Sequence, residues 1–386
     1  MRRLYFFVCF FVCFSTLTCK AQSFLDKLTD IFEFEIHSKK RDSTDYITKV
    51  VLAPTIAYRP VTSLALGVGA KFLFKPKGAR EETRTSNIPI SVEYTLKNQF
   101  IFGSSYEVFF LHEKWLLKGN LGFSRFPITY FGVGRASKEA NKIDLSFNQL
   151  LIEPLLLRRV VDNFFIGGGF RYYNTYNAGL GEEEENINGR YSGLIDSLNA
   201  TSVGAELAIA LDSRDNVLNP TEGDFLEFTQ GFYDKVLGGT NRFMLSKANY
   251  RKYIRTNPEK LNIIAFELFT RLSWGEPSLL ELSALGGDRL LRGFQEGRFR
   301  DRFAYFSQAE YRWQTFKKIG FVFFGGVGDV LAEQQSFSFD TLKYSLGTGI
   351  RLKIIESENL NIRFDYAFGV GNKNANNFYL GIAEAF

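Results

Sequence analysis

The segment Leu-Leu-Arg-Gly-Phe (290–294) carries the clearest chemical signal in this sequence of 386 residues. Arg292 has a permanently charged guanidinium with five N–H donors, which suits paired hydrogen bonds to carboxylates. Gly293 permits a close backbone approach or a positive φ, and Phe294 supplies a large apolar ring. In a surface loop such a triplet would usually mean little, but here it is flanked by glycines, a charged pair and two leucines, and it opens a long connection.

Residues that commonly carry catalysis are scarce in this chain. Its two histidines, His37 and His112, lie in different predicted elements and form no metal-ligand pair. The motifs Gly-x-Ser-x-Gly, His-Glu-x-x-His and Gly-x4-Gly-Lys-[Ser/Thr] do not occur. The acidic run GEEEENINGR (181–190) favours a solvated loop over a cation site. We expect no enzymatic activity, no metal and no cofactor.

The N-terminal residues predict export. Two arginines precede the apolar run 4–17, which is too short to span a membrane, and residues 19–21 fit a cleavage site. We predict a signal peptide over residues 1–21; lipid attachment at Cys19 is the less favoured alternative. All three cysteines lie in this segment, so the mature chain would have no thiol chemistry. Cleavage would lower the formal net charge from +5 to +2, which gives no case for nucleic acid binding.

The rest of the chain alternates between apolar and polar residues with a period of two. In NIRFDYAFG (361–369) the aromatic residues share one face, and the arginine and aspartate share the other. RFAYFSQAEYR (302–312) and VGAELAIALD (203–212) show the same pattern. With 41 Phe, 18 Tyr and a mean hydropathy of −0.11, this indicates transmembrane strands between lipid and a polar lumen.

Sixteen such runs predict an all-β fold, a sixteen-stranded antiparallel transmembrane β-barrel over residues 50–386. An even number of strands places both chain ends in the periplasm. The longest connections, 125–142, 176–201 and 274–302, are then extracellular. The runs lie near 51–59, 63–74, 88–97, 99–111, 114–124, 143–158, 163–175, 202–212, 223–234, 241–253, 261–273, 303–313, 319–330, 343–354, 359–369 and 377–386.

Residues 22–49 form a short periplasmic segment before the first strand. Its apolar residues between Phe24 and Phe32 recur at helical spacing. The segment is therefore either a short amphipathic helix, on the inner leaflet or in the lumen, or a partly ordered leader.

Several motifs resemble those of the BamA/TamA (surface antigen) superfamily of outer-membrane barrels. LLRGF (290–294) is similar to the family's V/I-R-G-F/Y signature between strands 11 and 12. YFGVG (130–134), EYR (310–312) and the terminal Phe386 also match, and the resemblance covers about residues 50–386. DSRDNVLNPTEGDFLEF (212–228) resembles the family's D-x-R-D-N-P-x-x-P-x-x-G periplasmic turn, through Asp212, Arg214, Asp215, Asn216, Pro220 and Gly223.

The resemblance implies that the sixth extracellular loop folds back into the lumen, where its arginine meets carboxylates of the inner wall. Arg292, Gly293 and Phe294 would form this lumenal motif, with Glu310 on strand 12 as the leading partner of Arg292. A stability role is favoured over a transport role, because an unpaired buried charge is costly. The family often has F-x-D-x-G on strand 13; here Gly326 replaces that aspartate, and Asp329 lies on the opposite face.

Two residues mark the join between the first and last strands, where relatives open laterally. Pro54 cannot donate a ladder hydrogen bond, and Gly381 could permit a kink. With Phe386 they form a candidate lateral seam, although Pro54 could equally mark a ragged strand start. Glu384 stands where an aromatic residue is common.

The resemblance implies a role in outer-membrane biogenesis, by insertion or translocation of proteins or lipids. Members with that role carry periplasmic POTRA modules, and residues 22–50 are too few to form one. We therefore expect a periplasmic or outer-membrane protein partner, besides the lipid of the membrane. The alternative is a passive or plugged pore, or a structural subunit of an outer-membrane complex, without insertase activity.

Overall fold

The computed structural model describes residues 33–36, 48–59, 63–76, 83–96, 98–110, 112–181, 192–355, 359–371 and 375–386. The predicted signal peptide and the helical spacing between Phe24 and Phe32 lie outside these residues. Within 22–49 the structure defines a short strand at 33–36, which the sequence did not predict. Among the described residues, no helix is long and apolar enough to cross a membrane.

The described chain is mainly β-structure, with one α-helix, α1 (Ser192–Leu198). The strands are β1 (Glu33–Ile36), β2 (Thr48–Arg59), β3 (Ser63–Phe74), β4 (Ser86–Thr95), β5 (Phe100–Phe110), β6 (Trp115–Tyr130), β7 (Ile143–Val161), β8 (Phe164–Leu180), β9 (Ala200–Asp212), β10 (Gly223–Tyr233), β11 (Phe243–Arg255), β12 (Ile263–Gly275), β13 (Ser283–Leu285), β14 (Phe299–Asp301), β15 (Phe303–Gln314), β16 (Ile319–Leu331), β17 (Lys343–Ile355), β18 (Leu360–Gly369) and β19 (Asn376–Ile382).

One large sheet contains every strand except β13 and β14, which pair with each other. From β2 to β12 each strand pairs with the next, β12 pairs with β15, and the series continues in order to β19. All these pairings are antiparallel, so successive connections alternate between the two ends of the sheet. We call the end that carries residues 276–302 the upper end, and the end that carries residues 213–222 the lower end.

The two faces of the sheet differ in the manner that the alternation predicts. On β9, Glu206 is 1% exposed, whereas its neighbour Leu207 is 62% exposed. On β18, Asp365 is fully buried between the exposed Phe364 and Tyr366. Charged side chains thus point into an interior and apolar side chains point outward, the reverse of a soluble β-sandwich.

The last strand is shorter than the sequence predicts. β19 ends at Ile382, and Ala383 has a φ of +76°, which turns the chain out of the sheet and into the interior. Residues 383–386, here called the C-terminal tail, end in a buried cluster. That cluster contains Tyr253, Ile263, Ala265, Ala385 and Phe386.

Strand β2 is paired along both of its edges near its lower end. Lys49–Val51 pair with Lys71–Leu73 of β3, and the same residues pair with Glu33–Glu35 of β1. Because a strand has only two edges, β1 must occupy the edge opposite β3. β19 is the neighbour of β2 in the sheet order, so β1 fills part of the edge that faces β19.

Candidate functional site: the long loop and its ion-pair ring

The long loop (residues 276–302) joins β12 to β15 and packs against the face of the sheet that carries the charged side chains. Its two arms pair as β13 and β14, which brings the segment 286–298 together as one compact turn. Its apolar side chains form a buried cluster with residues of β15 and β16 and with the alanine that precedes β19. The cluster contains Leu285, Leu291, Phe294, Phe299, Ala304, Phe306, Val330 and Ala375.

Arg292 is 1% exposed and meets polar groups from two separated strands. Its Nη2 lies 2.5 Å from Glu310 Oε1 and 3.1 Å from Gln308 Oε1, both on β15. Its Nη1 donates to Asp365 Oδ2 on β18 over 2.9 Å. The guanidinium carbon lies 3.5 Å from the ring centroid of Phe324 on β16. One arginine therefore links three strands of the wall to the loop.

Asp365 supplies the carboxylate that the sequence left unassigned. Gly326 faces the interior, where a Cβ atom would lie 3.0 Å from the ring of Phe306, so little room exists for a side chain. Asp329 accepts hydrogen bonds from Thr341 Oγ1 (2.6 Å) and Lys343 Nζ (3.0 Å). The second partner of the loop arginine thus comes from β18, two strands beyond β16.

These contacts belong to a closed ring of six charges, which we call the ion-pair ring. Arg292 pairs with Glu310 (2.5 Å), Glu310 with Arg312 (3.0 Å), and Arg312 with Glu384 (3.9 Å). Glu384 pairs with Arg351 (2.6 Å), Arg351 with Asp365 (2.5 Å), and Asp365 with Arg292 (2.9 Å). The members are Arg292, Glu310, Arg312, Glu384, Arg351 and Asp365. Each charge has an opposite charge on both sides, which offsets the cost of burying them together.

Gly293 and Phe294 fit closely against the last two wall strands. Gly293 has a φ of +104°, and a Cβ atom would lie 2.7 Å from the carbonyl carbon of Phe368, so no other residue fits without displacement. The ring of Phe294 packs directly over Gly369, where a Cβ atom would lie 2.3 Å from it. Both glycines therefore permit the loop backbone and ring to approach β18.

A second buried carboxylate anchors the start of the long loop. Glu281 is fully buried and pairs with Arg171 of β8 (2.6 Å) and Arg271 of β12 (3.1 Å). Burial opposes ionisation of Glu281, but these two arginines outweigh it and lower its pKa. At the other arm, Arg298 stacks on Phe131 and donates to Ser137, which connects the YFGVG segment to the loop.

The motif turn (residues 213–222) joins β9 to β10 and is held by its own side chains. Asp215 Oδ1 accepts from the backbone of Thr221 (2.8 Å) and Glu222 (3.2 Å), and Asn216 Oδ1 accepts from that of Leu218 (2.7 Å). Gly223 has a φ of +103°, and a Cβ atom there would lie 2.3 Å from the carbonyl oxygen of Ser213.

The start of the motif turn is fixed by charge. Asp212 forms a two-point contact with Arg214, with Oδ1 to Nε at 2.8 Å and Oδ2 to Nη2 at 3.0 Å. Arg84 lies 2.7 Å from the same carboxylate. Pro220 is buried in the turn. The six motif residues named from the sequence thus lie in one compact unit.

The motif turn also crosses the lower end of the interior. Val217 packs against the apolar cluster of β5 to β9, which includes Phe109 and Phe165. Its neighbour Leu218 packs against a cluster of β2, β3, β17 and β18, which includes Val51 and Leu360. Adjacent residues of the turn therefore contact different parts of the wall. Between this turn and the long loop lies a cavity of about 710 Å³.

The candidate seam residues do not form one group. Pro54 lies within β2, opposite Val68, and not at the start of the strand. Gly381 of β19 is opposite Arg363, whose Nε would lie 3.0 Å from a Cβ atom there. Phe386 lies in the interior, where its carbonyl oxygen accepts from Arg312 Nη2 over 2.9 Å. Pro54 and Gly381 thus lie on β2 and β19, whereas Phe386 belongs to the C-terminal tail.

Residues 182–191, with most of the acidic run, lie outside the described residues, as does His37. His112 lies in the turn between β5 and β6, with a φ of +56°. Within the described part of the chain, no group of three or more His, Cys, Asp or Glu side chains could hold a metal ion.

Sequence reasoning found Arg292 and Glu310 but missed Asp365, Arg351 and Glu281. The sequence does contain a signal for Asp365 and Arg351. Both are charged residues at inward-facing positions of a strand, and a buried charge needs an opposite charge as its partner. The sequence marks Glu384 only as a residue that stands where an aromatic side chain is common. The sequence gives no indication of which inward charges meet across the interior.

Comparison with known proteins gives both a family and a fold. Residues 84–386 match the profile of the Omp85 superfamily domain. The crystal structure of BamA from Haemophilus ducreyi lacking POTRA domains 1–3 is similar, with 13% identity and a TM-score of 0.52, over 95% of this chain and 77% of that chain. CdiB from Acinetobacter baumannii has 12% identity and a TM-score of 0.54, over 86% of this chain and 59% of that chain. No curated protein matches. Because the profile covers most of the sequence, the chain belongs to the Omp85 superfamily.

Proposed function

We propose that this chain is an integral outer-membrane protein that inserts or translocates proteins or lipids together with a partner. In this proposal β2 to β12 and β15 to β19 close into a sixteen-stranded barrel. The long loop is its sixth extracellular loop, and the lower end faces the periplasm. The protein catalyses no reaction of its own; it offers a route into the membrane.

Placement in a membrane is supported by the chemistry of the two faces of the sheet. The outward face carries exposed apolar side chains on many strands, among them Leu207, Phe266 and Leu346. Contact of this apolar surface with water would cost free energy, whereas contact with the hydrocarbon of a membrane would not. The inward face holds charges in pairs, as a barrel wall with a polar interior requires.

The observation that carries the proposal is the extra strand at the seam, by which we mean the adjoining edges of β2 and β19. β1 pairs with Thr48–Val51 on the edge of β2 that faces β19. Backbone N–H and C=O groups on an unpaired edge bind any extended segment through main-chain hydrogen bonds. An edge that accepts β1 has the geometry to accept a strand of a client protein.

Photo-crosslinking tests this role at the residues concerned. A photoreactive phenylalanine analogue at Leu52 on β2 places the probe on the seam strand, and the same analogue at Leu207 on β9 provides a control. Both side chains are exposed on the outer face, at 37% and 62%. We expect newly made outer-membrane proteins to crosslink at Leu52 in excess of Leu207. Equal yields at the two positions would contradict the proposal.

A second candidate function, a plugged structural subunit, is supported by the filled interior. The long loop occupies the upper part, and the motif turn crosses the lower end. Depletion of the protein separates the two functions. The insertase proposal expects other outer-membrane barrels to decline in abundance, and unchanged levels would favour the structural subunit. Purified protein in planar bilayers should show little conductance under either proposal, and a stable open pore would contradict both.

A further inference from the structure

The C-terminal tail contacts the ion-pair ring that holds the long loop. We propose that the tail is a latch, coupled to the loop through Glu384, so that neither tail nor loop leaves the interior without loosening the other. This inference does not depend on the proposed function, because it concerns only how two segments of the chain are held.

The tail is bound through specific polar contacts. Glu384 Oε2 lies 2.6 Å from Arg351 Nε, and Glu384 Oε1 accepts from Asn361 Nδ2 over 2.8 Å. The backbone N–H of Ala383 donates to the carbonyl of Asn361 over 2.7 Å. The ring centroid of Phe386 lies 5.4 Å from the guanidinium carbon of Arg312, and the ring packs in the same cluster as Tyr253. A left-handed alanine is costly, and these contacts compensate for it.

Coupling arises because Arg292 and Glu384 do not touch but are connected through the charges that lie between them in the ring. One side of the ring connects them through Glu310 and Arg312, and the other through Asp365 and Arg351. All six side chains are buried. Loss of one charge leaves its two neighbours with unbalanced charge in a poorly solvated interior. A disturbance at the loop therefore reaches the tail from both directions.

The loop also holds β19 directly, above the tail. The backbone N–H of Gly293 donates to Tyr379 Oη over 2.9 Å, and Asn377 Nδ2 donates to the carbonyl of Gly293 over 2.8 Å. Both partners lie on β19. The last strand is therefore fastened to the loop at its upper part and through Glu384 beyond its lower end. The position of β19 is therefore coupled to that of the long loop.

A cysteine reporter in the tail tests the coupling. All native cysteines lie within residues 1–19, in the predicted signal peptide, so Ala385→Cys would place a single thiol in the mature protein. Ala385 is 3% exposed, and the thiol reacts with a maleimide only when the tail leaves its site. Arg292→Lys perturbs the loop without altering the tail. We expect it to raise the labelling rate about tenfold, equivalent to about 1.4 kcal/mol.

Glu227→Gln is the matched control, since Glu227 is an interior carboxylate that pairs with Lys118 outside the ring. We expect this variant to change labelling less than about twofold, which is under 1 kcal/mol. Equal labelling of the Arg292→Lys and control proteins would overturn the proposal. If Arg292→Lys does not fold, Glu310→Gln disturbs the same ring and carries the same expectation. Reciprocally, Glu384→Gln should speed amide exchange in residues 286–298, and unchanged exchange there would also overturn it.

Discussion

The long loop and the motif turn both enter the interior, but they are held by different kinds of contact. Arg292 of the long loop reaches Glu310 and Asp365, which are 18 and 73 residues away in sequence. In the motif turn, Asp215 binds the backbone of residues only 6 and 7 positions later. The position of the first segment thus depends on the assembled wall, whereas the conformation of the second is specified locally.

This difference predicts how damage spreads from each segment. A variant in the ion-pair ring leaves buried charges unpaired on several strands, so its effects extend through the wall. A variant in the motif turn removes backbone caps, so its effects stay within the turn.

The largest effect is expected from Asp365→Asn. Asp365 faces three arginines, Arg292 (2.9 Å), Arg351 (2.5 Å) and Arg363 (3.4 Å), whereas Glu310 faces two. Removing this charge should lower the free energy of unfolding by about 3–5 kcal/mol, because an excess of buried positive charge remains. The loss is measured as a decrease in the midpoint temperature of thermal unfolding.

Glu310→Gln provides the comparison for this variant. It leaves fewer arginines unbalanced, so its midpoint temperature should lie between those of the wild type and Asp365→Asn. A larger loss for Glu310→Gln would show that the number of arginine contacts does not determine the effect.

An intermediate effect is expected from Asp215→Ala in the motif turn. The variant removes the two backbone caps and the hydrogen bond from Thr221 Oγ1 to Asp215 Oδ2 (2.6 Å). We expect a loss of about 1–3 kcal/mol and faster proteolysis within 213–222 alone. Asp162→Ala, in the exposed turn between β7 and β8, is the matched control and should behave as wild type. Faster cleavage of the long loop in Asp215→Ala would contradict the claim that the conformation of the motif turn depends only on contacts within the turn.

The smallest effect is expected from a change of pH, which acts on Glu281 and Glu384. It should be absent near neutral pH and appear only in acid. Burial opposes their ionisation, but arginines outweigh it, so both pKa values lie below the usual 4.5. A lowered carboxylate pKa stabilises the folded state above the unfolded pKa, and this stability is lost as the pH falls through the folded pKa. Protease resistance of the long loop should therefore be constant from pH 7 to about pH 5 and decline below pH 4.5. A decline between pH 7 and pH 6 would contradict this assignment.

The sequence predicted the strands well, because a wall between an apolar and a polar phase imposes a strict alternation on each strand. Every predicted run overlaps one strand of the large sheet. The motif turn was also recognisable, since its Asp, Asn and Gly residues cap and turn the backbone locally. The strands and the motif turn could thus be predicted because each depends on residues that are close together in the sequence.

The partners across the interior could not be predicted in the same manner. Asp365 and Gly326 lie on different strands, and only the assembled sheet shows that one compensates for the other. The alternation of the sequence predicts that the last strand continues to residue 386. Instead Ala383 turns inward, because buried contacts of Glu384 and Phe386 outweigh continuation of the ladder. Non-local charge pairing determined both outcomes.

The most direct test of this account is amide hydrogen exchange in the wild type and Arg292→Lys. Lysine retains the charge but lacks the planar fork that binds Glu310 and Asp365 together. We expect faster exchange in residues 286–298 and in β19, with unchanged exchange in the motif turn 213–222. Equal exchange of the two proteins in 286–298, or equal acceleration in both segments, would contradict the claim that this one arginine holds the long loop inside the wall.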